Sequence, residues 1–264
     1  MNVPTNAESS DIVRQAATVM LLRPAAGGFE AFLVRRSTRS SFAPDAYVFP
    51  GGAIDAADAS SQASERTLGL DPARLRAEFR ESIEPAVAAA ISIAALRELF
   101  EEAGVLFAVS LSGDALHDPG ALSDARRRLR DDPVTFADVL RDLNCRADAR
   151  ALTFFSRWIT PPGEPRRYDT HFFLARMPEH QTPLADADET HDGRWLSPRD
   201  ALGAHARGEM HLVYPTIKHL ERLATFDDLD ALAAFARDKP IVTVAPYALP
   251  QNGFKIPPEL ENAW

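Results

Sequence analysis

The stretch at residues 94–105 reads AALRELFEEAGV. Nothing in it breaks a helix before Gly104. At ~100° per residue, Glu98, Glu101 and Glu102 fall on one face, with Arg97 at its edge one turn before Glu101. Leu96, Leu99, Phe100 and Ala103 take the opposite face and suit a core. Carboxylates crowded in this way repel one another unless a cation holds them. Hard divalent ions such as Mg²⁺ or Mn²⁺ prefer carboxylate oxygens. The competing reading is a solvated acidic face, the usual fate of charge clusters on helices.

The surroundings favour the metal. Upstream, at 49–52, the chain reads FPGG after a strand-like run, and Gly104 stands where the helix must stop. The pattern R-E-L-F-E-E-A-G-V behind such a Gly-Gly turn resembles the signature of the Nudix hydrolases. That signature is a loop–helix–loop that binds divalent metal and cleaves a diphosphate linked to another group.

Composition bounds the rest. With 45% hydrophobic and 25% charged residues, the 264-residue chain is expected to fold as one packed unit over 1–264. A net charge of −9 argues against nucleic acid and anionic membrane as partners. An anionic substrate would need local arginines or metal to offset it. Cys145 is the single cysteine, so no internal disulfide forms, and it reads as a packing residue in a reducing compartment. No apolar run approaches the ~18 residues of a membrane span. The N-terminus MNVPTNAESSDIVRQ is polar and acidic, unlike a targeting peptide, so the expected location is cytoplasmic.

Along the chain, 16–22 and 29–36 read as a hairpin around Arg23-Pro24 and Gly27-Gly28. Arg35, Arg36 and Arg39 follow, and guanidinium groups suit phosphate oxygens. Tyr47 to Phe49 is a short strand. Residues 53–84 then intervene before the acidic helix, with Asp71-Pro72 capping a helix and Pro85 opening the long one. This insertion has no metal-ligand spacing and reads as a helical lid or specificity element. Val105 to Leu111 reads as a buried strand, and 112–148 as a polar helical insertion whose basic run Arg126 to Arg128 is a solvated face. Strands follow at 152–160, 168–176, 194–196 and 241–244. Ser197-Pro198 starts a helix, and 206–264 reads as a helical extension. The order of elements is α+β, or an α/β/α sandwich.

The resemblance spans most of 16–205. The hairpin–FPGG–helix order, LTFFSRWIT, RRYDTHFFLA and ETHDGRWLSPRDAL are similar to the coenzyme A diphosphatase branch of Nudix enzymes. They are most similar to its peroxisomal mammalian type, which carries an insertion inside the signature. Arg36-Ser37 stands where that branch has an Arg-Ser pair, although Ser40 and Ser41 replace the leucine–arginine pair that usually follows. The signature's further glutamate is missing, and Ala89 is read at its position.

The resemblance implies an α+β Nudix sandwich with a mixed sheet. It places Mg²⁺ or Mn²⁺ on Glu98, Glu101 and Glu102, with a carbonyl of Gly51 or Gly52 as a further ligand. Arg97 would orient Glu101. Glu98, or Glu189 in a later loop, would be the general base, with His171 and His191 as weaker titratable candidates. Arg35, Arg36, Gly51 and Gly52 would meet a small nucleotide-diphosphate substrate. The implied reaction splits coenzyme A or an acyl derivative into adenosine 3′,5′-bisphosphate and a 4′-phosphopantetheine product. ADP-ribose, NADH or a nucleoside triphosphate are the alternative substrates. A non-catalytic nucleotide sensor is the alternative class, and a homodimer is compatible with either.

Overall fold

Strand β1 (Val13–Ala25) is buried on both faces along its middle, and the whole molecule is laid out on either side of it. The computed structural model describes residues 12–37, 43–80, 83–112, 118–184, 190–249, 253–261 and 263–264, and for 190 and 191 the backbone only. After β1 come β2 (Gly28–Arg36), β3 (Tyr47–Val48) and β4 (Gly51–Ala53). The insertion supplies α1 (Ser61–Glu65), β5 (Thr67–Leu68) and α2 (Pro72–Glu78), and then α3 (Pro85–Ala103) carries the carboxylates. Next are β6 (Ala108–Ser110), α4 (Pro119–Asp131), α5 (Phe136–Asp142) and β7 (Cys145–Asp148). Strands β8 (Thr153–Ile159), β9 (Arg167–Arg176) and β10 (Thr190–Leu196) lead into α6 (Pro198–Ala206), α7 (Tyr214–Leu223) and α8 (Leu229–Asp238). The chain closes with β11 (Thr243–Val244) and a hairpin of β12 (Tyr247–Leu249) and β13 (Gly253–Lys255).

The main sheet runs β10-β2-β1-β9-β8-β11. Beyond its turn, β2 parts from β1. Strand β3 pairs with β2 at Val34 and Arg35, while β4 pairs with β1 at Ala16 to Thr18. The FPGG stretch therefore crosses between the two long strands as they part. Alternation along β1 separates two cores. Ala17, Val19 and Leu21 face α3 and the insertions, whereas Met20 and Leu22 face α6, α7 and α8. The result is the α/β/α layering expected of the α+β class.

Several local expectations are corrected. Arg23 and Pro24 lie inside β1, opposite Glu30 and Phe29, and the turn is made by Ala26 and Gly27 instead. Between Val105 and Leu111 only Ala108 to Ser110 is strand, and Val109 and Leu111 are exposed. The strand expected at 241–244 is present as β11, which joins the main sheet parallel to β8, but 206–264 is not otherwise all helical, because the β12–β13 hairpin follows. The insertion at 53–84 is anchored in the main core at its far end. Phe79 at the end of α2 is fully buried and stacks on Phe154 at 4.6 Å, and Glu78 accepts a hydrogen bond from the Phe154 amide. The two insertions also meet, since β5, β7 and β6 form a small sheet of their own. No helix among the described residues is long and apolar enough to cross a membrane.

Candidate active site

Pro85 opens α3, and Gly104 ends it in the left-handed conformation at φ +68°. The helix is buried on nearly all sides, so the acidic face is no solvated surface. Glu102 is buried, while the side chains of Glu98 and Glu101 keep 12% and 24% of their exposure. Arg126 in α4 donates its Nε–H to the Glu101 carbonyl at 2.7 Å and a second N–H to the Leu184 carbonyl. The expectation that Arg126 belongs to a solvated basic face is thereby corrected; it ties down the end of the acidic helix.

Arg97 is the hub. A guanidinium has five N–H donors, and here each has an acceptor. Nε and Nη2 grip both oxygens of Asp58 at 2.9 Å, Nη2 also reaches the Ala53 carbonyl, and Nη1 meets Glu98 at 2.9 Å and Glu101 at 2.8 Å. The expected Arg97–Glu101 contact is present, but Asp58 is the partner that sequence reasoning missed. It lies in the 3₁₀ turn Ala56–Ala59 and is 1% exposed. The acidic residue absent at Ala89 is thus supplied from the glycine side of the insertion, six positions after Gly52. Counting forward from the glycine turn, rather than back from Arg97, would have found it.

The glycine turn docks on the same carboxylates. The Gly51 N–H donates to Glu102 Oε2 at 2.8 Å, and a Cβ on Gly52 would lie 2.5 Å from Glu98 Oε1. A side chain at Gly52 would therefore have to push the Glu98 carboxylate from its place beside Arg97. Burial pushes the Glu98 carboxyl well above the ordinary carboxylate range against the pull of Arg97, and Glu102 and Glu101 push it further. Burial opposes the Arg97 charge, but Asp58, Glu98 and Glu101 outweigh it and hold its pKa raised.

These residues fit a divalent cation by donor type. They are hard oxygens on one helix face, and one carboxylate has its charge disfavoured by burial and by two like neighbours. Among the described residues no three His, Cys, Asp or Glu side chains converge on one ion-sized point, as each of these three carboxylates already meets Arg97 or the Gly51 amide.

The other candidates separate. Arg35 pairs with Asp45 at 2.6 Å and lies beside Tyr47, so its contacts are on the turn before β3 rather than on α3. Arg36 ends β2 opposite Thr190 of β10, and its amide donates to the Ala46 carbonyl. Glu189 and Arg39 lie outside the described residues, as does the side chain of His191. His171 is fully buried against Phe79 and Phe154, and burial pulls its pKa to about 4, so it serves the core. Cys145 is buried, and burial pushes its thiol up to about 11, the passive role expected.

Comparison with known proteins agrees with this geometry. The family described as NUDT19 Nudix domain matches residues 8–223. Human acyl-coenzyme A diphosphatase NUDT19 is 33% identical over 256 residues, covering 84% of this chain and 67% of that protein. The Gallus gallus protein of the same name is 32% identical over 274 residues, covering 86% and 72%. The crystal structure of a Nudix hydrolase from Alicyclobacillus acidocaldarius superposes with a TM-score of 0.71 at 28% identity, over 84% of this chain and 96% of that one. Nudix hydrolases as a family use divalent metals. With its acidic helix intact against the glycine turn, the chain is a Nudix hydrolase enzyme and belongs to the NUDT19 Nudix family.

Proposed function

We propose that the enzyme hydrolyses the diphosphate of coenzyme A or an acyl-coenzyme A, releasing adenosine 3′,5′-bisphosphate and the 4′-phosphopantetheine or its acyl derivative. The observation that carries the substrate class is the 33% identity to an acyl-coenzyme A diphosphatase across the residues that build the site. Glu98, Glu101 and Glu102 would hold Mg²⁺ or Mn²⁺, with a carbonyl of the Gly51–Gly52 turn as a further oxygen donor. A bound divalent cation supplies a Lewis acid that neutralises the diphosphate and acidifies water. Arg97 fixes the rotamers of Glu98 and Glu101, and Asp58 fixes Arg97 in turn. Glu98, or Glu189, would take the proton of the attacking water. Arg36, at the end of β2 opposite Thr190, offers a guanidinium to the phosphates.

The test is product analysis. The pure protein is incubated with Mg²⁺ or Mn²⁺ and a panel of coenzyme A, octanoyl-coenzyme A, ADP-ribose, NADH and FAD. The expected result is adenosine 3′,5′-bisphosphate from the first two, at a kcat/KM at least tenfold above the rest. Preferential cleavage of ADP-ribose or NADH, with coenzyme A left intact, overturns the substrate reading.

A further inference from the structure

On the opposite face of the sheet from α3 lies a cavity of about 420 Å³ that the chemistry above does not use. Its size falls within the ~300–1,000 Å³ usual for small-molecule sites. Its walls are mostly apolar and aromatic: Trp158, Phe172, Leu212, Tyr214, Ile217 and Phe254. Thr160 and Thr170 lie among them and offer hydroxyls. The Phe254 wall comes from the β12–β13 hairpin, beyond the residues matched by the family.

Strand register ties this cavity to the carboxylates. Thr170 pairs with Ala16, which pairs with Ala53, the residue whose carbonyl Arg97 holds. Phe172 likewise pairs with Thr18, which pairs with Gly51. Neighbouring strands lie ~4.8 Å apart, so each path covers ~10 Å within the plane of the sheet, as far as the strand on which the Glu98 and Glu102 carboxylates rest. Thr18 and Thr170 are half-buried although they sit in the middle of the sheet, and Thr170 lines the cavity. A second connection runs through residues 43–53. Ala43 lines the cavity, the Tyr47 amide donates to the His211 carbonyl on the cavity wall, and Gly51 and Gly52 touch Glu102 and Glu98.

We propose that this cavity receives the acyl end of the substrate's pantetheine arm, so that Ile217 and Phe254 set the preferred acyl length. This rests on the coenzyme A reading above. The arm has about the reach of four extended residues, ~13 Å, enough to span the two strand steps. Its amides would lie over Thr18 and Thr170, and the acyl chain would exchange water for the aromatic wall. Burial of each methylene is worth roughly fourfold in affinity, so a medium chain should bind well above free coenzyme A.

The test is calorimetric titration of the metal-free protein, in EDTA, with coenzyme A and with octanoyl-coenzyme A. Wild type should bind octanoyl-coenzyme A at least tenfold more tightly than coenzyme A. Ile217→Trp, which fills the cavity, should cut that ratio at least fivefold. Phe254→Ala, which enlarges it, should raise palmitoyl-coenzyme A relative to octanoyl-coenzyme A. Circular dichroism checks that each variant is folded, and opposite shifts from the two variants are not expected of a purely structural change. Equal affinities for the acylated and free forms in wild type overturn the proposal, as do ratios unmoved in a folded variant. Because the titration needs no turnover, this failure is distinct from an absence of coenzyme A cleavage.

Discussion

Asp58 holds Arg97 through both carboxylate oxygens, each 2.9 Å from a guanidinium nitrogen, across 39 positions of sequence. Both side chains are almost wholly buried. Removing one partner of a buried pair is costly because the other charge is left uncompensated. Glu98 and Glu101 still neutralise Arg97, so Asp58→Asn should cost on the order of 2–3 kcal/mol, below the full penalty. It should also lower kcat at least tenfold with a smaller change in KM, since the loss lies in the alignment of Glu98 and Glu101. Urea unfolding and steady-state kinetics check both. A variant with wild-type kcat would show that Asp58 is a structural pair only.

Phe79 sits at the far end of the insertion, between Phe154 and Phe173. As a core residue, Phe79→Ala should destabilise by ~3–5 kcal/mol, with KM little changed under conditions where the variant remains folded. A change in KM without a loss of stability would mark the insertion as a lid instead.

Two buried histidines contribute to the acid sensitivity of the fold. Burial lowers His171 to about 4 and His219 to about 3, from an ordinary 6.5. Between pH 6.5 and 4 the unfolded chain takes up protons that the native histidines refuse. Stability contributed by the neutral rings is therefore present above 6.5 and lost as pH falls, at ~1.4 kcal/mol per unit for each ring. His171→Phe, placed among Phe79 and Phe154, should flatten the slope of unfolding free energy against pH over this window. Parallel slopes for variant and wild type would contradict the assignment.

Much of this was legible in the sequence because it is local. The acidic helix, its stop at Gly104, the glycine turn, and the caps at Asp71 and Ser197 each depend on a few consecutive residues. Asp58 was not legible from Arg97, because their contact closes a loop through the insertion. Nor was the small sheet, whose strands of two to four residues pair Thr67 with Ala147 and Ala108 with Ala147. Phe79 shows the same limit. Its segment has the polarity of a surface helix, and only Leu75 and Phe79 of 72–79 join it to the main core. Arg126 was misassigned because a run of arginines reads as solvated until one of them finds a carbonyl, here that of Glu101.

The carboxylates packed against the Gly51–Gly52 turn would hold the divalent ion on which hydrolysis depends. Titration of Mn²⁺ into the protein, followed by calorimetry, tests this without any assumption about substrate. Wild type should bind Mn²⁺ saturably. Glu98→Gln and Glu102→Gln should each weaken binding at least tenfold, ~1.4 kcal/mol, while Tm without metal stays near wild type or rises for Glu98→Gln, whose charge burial disfavours. Unchanged Mn²⁺ affinity in both folded variants would contradict the account.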